Sequence, residues 1–160
     1  MSKSAAQLDA EIAETLRARK TGGSRSKNDP DKAARLITAL DRYGARAAEL
    51  REAGWYFEEG GCFGMALAIA HAVEAAGGTA QLAVRQEPGV HAIACIRGRG
   101  VDWQGTVSDL TGYHSMTRAR FNRTAAEHGH DAAALRADQL WANDTIRLAL
   151  ELAADEDDAS

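Results

Sequence analysis

Cysteine is scarce in this chain: Cys62 and Cys95 are the two among 160 residues. That excludes a small scaffold stapled by several disulfides. The spacings C-x-x-C and H-E-x-x-H are both missing, so zinc sites built on them are excluded as well. Aromatic residues make up 6% of the chain, while alanine is abundant, a balance that points to closely packed helices. No stretch approaches the roughly 20 apolar residues that span a bilayer. No apolar segment of the secretory type follows Met1-Ser2-Lys3-Ser4, which points to a cytoplasmic, reducing location and to free thiols, with export by another route left open. Positive charge is not in excess either. Nineteen Lys and Arg face twenty-three Asp and Glu, for a net charge of -4, so the basic field of a nucleic-acid binder is lacking.

What remains is an ordinary apolar fraction of 45%, enough for one domain with a real core. Leu8, Ile12 and Leu16 recur every four residues and predict an N-terminal helix over 1–20, a surface for a protein partner. Residues 21–28, Thr21-Gly22-Gly23-Ser24 onward, read as a flexible linker. The basic residues of this region, Arg17, Arg19, Lys20, Arg25 and Lys27, read as a solvated linker face. Asp29-Pro30 opens a second helix with Asp29 as N-cap. Its stripe of Leu36, Leu40, Tyr43, Ala47 and Leu50 predicts a core-facing side. Trp55-Tyr56-Phe57 is an aromatic knot, and Glu58-Glu59-Gly60-Gly61 reads as a turn. A strongly apolar helix starts at Cys62 and closes at Gly77-Gly78.

The period then falls from about four to two. Residues 79–85 and 90–96 read as strands, and a third begins at Val101, which together predict an antiparallel meander. Helices are expected at 117–128, 131–141 and 144–154, the last capped by Asn143 or Asp144. The stretch Asp155-Glu156-Asp157-Asp158 reads as an acidic, disordered tail over 155–160. The fold class expected is α+β, with the principal domain over 29–154.

Three residues stand where chemistry is done. Cys62 follows two glycines at a helix start, where a thiolate is favoured by the helix dipole and by unpaired backbone N–H groups. The same N–H groups can hold an oxyanion. His91 opens a strand just after a Pro-Gly turn, in a place from which an imidazole can take the thiol proton. Asp102 lies eleven residues further on, across a hairpin turn, where it can fix the ring's tautomer. Taken singly, each has a structural reading: a small core thiol, a strand histidine, a turn aspartate. Their order and their places on the elements are what single them out. His71 and Cys95 read as core residues. His114, His128 and His130 are scattered over helix and loop and form no clear ligand cluster.

At this point Gly60-Gly61-Cys62, Val90-His91-Ala92-Ile93 and Val101-Asp102-Trp103-Gln104-Gly105 together resemble the core of the papain-like superfamily, and within it the transglutaminase-like and small bacterial cysteine-hydrolase branches. The likeness spans about residues 55–106. It implies a helix packed on a small antiparallel sheet, with Cys62 as nucleophile, His91 as base and acid, and Asp102 as orienting residue. It implies acyl transfer through a thioester on a peptide or protein amide or ester, without a cofactor or metal. Phe57-Glu58-Glu59-Gly60-Gly61 lacks the glutamine that many such enzymes carry before the cysteine. The oxyanion and substrate candidates are therefore Gly61, Gln104 and Trp103 with the Cys62 N–H. The short interval from Cys62 to His91 narrows the expectation to a small hydrolase, a deamidase or a transglutaminase-like enzyme. The alternative is a protein-interaction module whose triad is idle.

Overall fold

The computed structural model describes residues 30–159. The N-terminal helix and linker expected over 1–28 lie outside them. Helix α1 spans Pro30–Leu50, with Pro30 in its first turn, where the missing N–H costs nothing. A short helix, α2, spans Gly54–Glu59; it includes the aromatic knot and also Glu58-Glu59, which were expected in a turn. Helix α3 spans Cys62–Ala75. It ends as its glycines predict: Gly77 adopts φ +90, and the Gly78 N–H donates to the Val73 carbonyl at 2.9 Å. Five strands follow: β1 Gln81–Arg85, β2 His91–Ile96, β3 Arg99–Asp102, β4 Gly105–Val107 and β5 Tyr113–Met116. Helix α4 spans Arg118–Glu127, capped by Thr117, whose Oγ1 accepts from the Arg120 N–H. Helix α5 spans Ala132–Ala159. The fold is α+β, with an antiparallel sheet in the order β4-β3-β2-β1-β5.

Helix α3 is the centre of this arrangement. It packs on β2, β3 and β1 on one side and on α5 on another, while α1 packs on α5. Eleven of its fourteen residues are buried, as expected of a helix apolar on every side. On strand β2 the alternating set Ala92, Ala94 and Ile96 is fully buried. Ala92 shares a cluster with Ala66 and Ala70 of α3, small residues that let helix and strand come close. Met65, Ile69 and Val73 fill the core beside α1 and α5. Each such side chain contributes about 1.5–3 kcal/mol by leaving water.

Two expectations about the C-terminal half are corrected. The helices expected over 131–141 and 144–154 are one helix, and of the two cap candidates Asn143 is fully buried in its interior while Asp144 lies within it. Helix α5 also continues through residues 155–158, where a disordered tail was expected. The apolar stripe of Ala142, Ile146, Ala149, Leu150 and Ala154 continues unbroken on the core and carries the helix across both supposed boundaries. Among the described residues, no helix is long and apolar enough to cross a membrane.

The site depends on one close crossing. A Cβ placed on Gly44 of α1 would lie 1.9 Å from the carbonyl oxygen of Trp103, so the helix backbone touches the β3–β4 turn directly. Three residues earlier, Asp41 accepts from the Thr106 N–H at 2.6 Å and from its hydroxyl at 3.3 Å. Helix α1 thereby pins the turn that carries Asp102. Helix propensity alone would make Gly44→Ala stabilising by about 1 kcal/mol. The crossing reverses the sign. Gly44→Ala is expected to lower the unfolding free energy by about 1–3 kcal/mol in denaturant titration, because the backbone contact must open.

Candidate functional site

Cys62 is the first residue of α3 and His91 the first of β2. The helix lies on the strand, and the two residues meet at one end of that layer, near enough for Cys62 to help raise the His91 pKa. The N–H groups of the first helical turn, those of Cys62, Phe63 and Gly64, have no acceptor within the helix; the first bond onto the preceding turn is Met65 N–H to the Gly61 carbonyl at 2.9 Å.

Asp102 completes the set. The β2–β3 register pairs Ala94 with Val101, so one step further Asp102 falls opposite Ile93. His91 and Asp102 are therefore diagonal neighbours on one face, rather than directly opposed, and the reach is still short. The His91 Nε2–H donates to Asp102 Oδ2 at 3.1 Å. The other carboxylate oxygen, Oδ1, accepts from the Gln104 N–H at 2.9 Å, an Asx turn that holds the side chain in place. With Nε2 committed to Asp102, Nδ1 is the ring nitrogen left for the sulfur. The side chains of His91 and Asp102 are each 14% exposed, which leaves a narrow opening to solvent.

The electrostatics follow from this geometry. Burial acts to lower the His91 pKa. The hydrogen bond to Asp102, the nearby Cys62 and the Asp102 charge outweigh it and push the ring up to about 9. Half-buried Cys95, by contrast, has no such partner, and burial pushes its thiol up. Both cysteines are free thiols.

The remaining candidates are distributed differently from the sequence expectation. Gly61 caps α3, but its N–H donates to the Tyr56 carbonyl at 2.8 Å and is spent there. Gln104 is exposed, and its backbone N–H serves Asp102. Trp103 is buried in the core, its ring against Gly54 and its carbonyl oxygen against Gly44. His71 is structural: Gln139 Nε2 donates to its Nδ1 at 2.7 Å. His114 is exposed on β5, and His128 donates to Gln86 at 3.3 Å. Among the described residues, no three His, Cys, Asp or Glu side chains are grouped to hold a metal ion.

A second polar cluster flanks Cys62 and was not singled out from the sequence. The Tyr56 hydroxyl donates to Asp138 Oδ2 at 3.1 Å, and His130 Nδ1 lies 3.7 Å from the same oxygen. Burial, then the hydrogen bond and charge of Asp138, then the charge of Cys62 push the Tyr56 phenol up to about 12. Burial raises Asp138, opposed by the Tyr56 hydrogen bond and by His130. Tyr56 and Asp138 are 82 positions apart in the chain, and no local pattern links them.

Comparison of the chain with protein-family models, with curated proteins and with solved structures gives no match. The site therefore rests on its own geometry.

His91 also sets a pH dependence. Its folded pKa of about 9 lies above the unfolded value of about 6.5, so the folded state holds the proton more tightly. Its contribution to stability is whole below about pH 6.5 and is lost as pH rises through about 9. Tyr56 does not enter that window, because a tyrosine begins to lose its proton only near pH 10 even when unfolded. Denaturant titrations between pH 6.5 and 9.5 are expected to show falling stability for the wild type and a flatter profile for His91→Gln.

Proposed function

We propose that this chain is a cysteine-dependent acyl-transfer enzyme on a papain-like α+β fold, acting on amide or ester bonds. One observation carries the reading: the His91 ring is held by Asp102 through Nε2 and is at the same time near enough to Cys62 for the two to interact electrostatically. That is the relation of nucleophile, base and orienting acid needed for acyl transfer.

The cycle follows from it. His91 takes the proton from Cys62, and the sulfur attacks the substrate carbonyl carbon. The new C–S bond forms while the carbonyl electron pair moves onto oxygen, stabilised by the N–H groups at the start of α3. Collapse breaks the bond to the leaving amine or alcohol, which departs with the proton from His91. The thioester left on Cys62 passes its acyl group to water or to an amine.

A second reading, an interaction module with an idle triad, is favoured by one fact: Cys62 is 2% exposed. The two readings separate on thiol reactivity. Exposure alone ranks Cys95 as the faster thiol. The enzymatic reading reverses the order, because His91 activates Cys62 and nothing activates Cys95. With limiting iodoacetamide at neutral pH, mass mapping is expected to find Cys62 modified about tenfold faster or more, with the excess abolished in His91→Ala. Equal, slow labelling of both thiols would leave the idle module.

A further inference from the structure

The glycines around Cys62 leave room for the second polar cluster. A Cβ on Gly60 would lie 2.8 Å from His130 Cε1 and 2.9 Å from Nε2. One on Gly61 would lie 2.6 Å from Tyr56 Cδ2, and one on Gly64 2.5 Å from the Asp138 Cβ. The Phe63 ring lies 5.9 Å from that of His130. Residues 60, 61, 63 and 64 thus form a seam between the nucleophile's helix and a tyrosine, an aspartate and a histidine drawn from α2, α5 and the loop before α5.

The orientation within the cluster is informative. Asp138 is buried; its Oδ2 accepts the hydrogen bond from the Tyr56 hydroxyl and lies 3.7 Å from His130 Nδ1, an ion-pair contact rather than a hydrogen bond. A carboxylate on Nδ1 favours the tautomer with the proton there, which leaves Nε2 as the basic nitrogen. That nitrogen is the one near Gly60, two residues before the sulfur. Cys62 is therefore flanked by two histidine–aspartate pairs.

We infer that His130, oriented by Asp138 and Tyr56, is a second base at this site and activates the acceptor that releases the acyl group from Cys62. The inference rests on the acyl-transfer reading above and divides its labour: His91 serves acylation, His130 deacylation. In the second half-reaction a water O–H gives its proton to His130 Nε2 as its oxygen bonds to the thioester carbonyl carbon. Collapse then breaks the C–S bond, and the electron pair returns to sulfur. The product leaves as the carboxylic acid, and the proton on His130 returns through solvent to the Cys62–His91 pair. His130 is on this account a catalytic residue; Asp138 and Tyr56 are positioning residues.

The test uses p-nitrophenyl acetate, whose acylation and deacylation are read separately. The wild type is expected to release a burst of p-nitrophenol, one equivalent per Cys62, followed by steady turnover. His130→Gly should keep the burst and lose about 100-fold or more in turnover, with acetyl accumulating on Cys62 by mass mapping. Free imidazole should restore turnover, a readout that a purely structural histidine would not give. Asp138→Asn and Tyr56→Phe should also retain the burst and slow turnover by smaller factors, which keeps the test decisive if His130→Gly does not fold. Turnover at the wild-type rate in the His130 variant would overturn the inference. So would loss of burst and turnover together in a folded variant, or slow turnover that imidazole does not restore. Absence of any Cys62-dependent burst in the wild type would instead remove the acyl-transfer reading on which it rests.

Discussion

The structure depends on a helix with no solvent face to spare. Helix α3 is covered by the sheet on one side and by α5 on another, and its apolar residues leave it no alternative. A helix held on several sides cannot rotate or slide without opening the core, because packed interiors do not deform continuously. Its first residue is Cys62, so the sulfur occupies one fixed point at the rim of the core. The strand beneath it is held by the same packing, through Ala92 and Ala94, and the strand's first residue is His91. The hydrophobic core thus fixes the distance between a thiol and an imidazole that share no local sequence.

Polar groups at such a rim must find partners. An uncompensated charge out of water costs several kcal/mol. Here each is compensated: His91 by Asp102, Asp102 also by the Gln104 N–H, Asp138 by Tyr56 and His130. Helix α1 supports this indirectly, since Asp41 and Gly44 hold the turn that presents Asp102. The glycines at 60, 61 and 64 do the same on the other flank by leaving space for His130, Tyr56 and Asp138. Removing side chains near the sulfur is what lets two polar clusters approach it.

Much of this was legible in the sequence because it sits at the ends of elements. Pro30 and the glycine pair at 77–78 marked helix boundaries through backbone chemistry, and alternation over 79–85 and 90–96 marked strands that form over 81–85 and 91–96. Cys62, His91 and Asp102 each stood beside a turn signal. Less was legible where tertiary pairing decides. Strand β4 is three residues long, and β5 carries His114 and Ser115 exposed on its middle, with no alternation to read. It forms because it pairs with β1 after a long excursion. Asn143-Asp144 has the chemistry of a cap, yet the apolar stripe of α5 runs through it. Asp144 bonds Arg51 and Arg147 from the helix interior. Tyr56, Asp138 and His130 were illegible as a group, since only the packing of α5 on α3 brings them together.

At the heart of the site, Cys62 and Asp102 together hold a proton on the His91 ring. Nitrogen-15 NMR of the histidine side chains, assigned through His91→Gln, reads that proton directly. The account predicts that both His91 ring nitrogens are protonated at pH 7, that the ring titrates at about 9, and that Asp102→Asn lowers the midpoint. A ring that is neutral at pH 7, titrates near the ordinary value of about 6.5 and ignores loss of the Asp102 charge would contradict it.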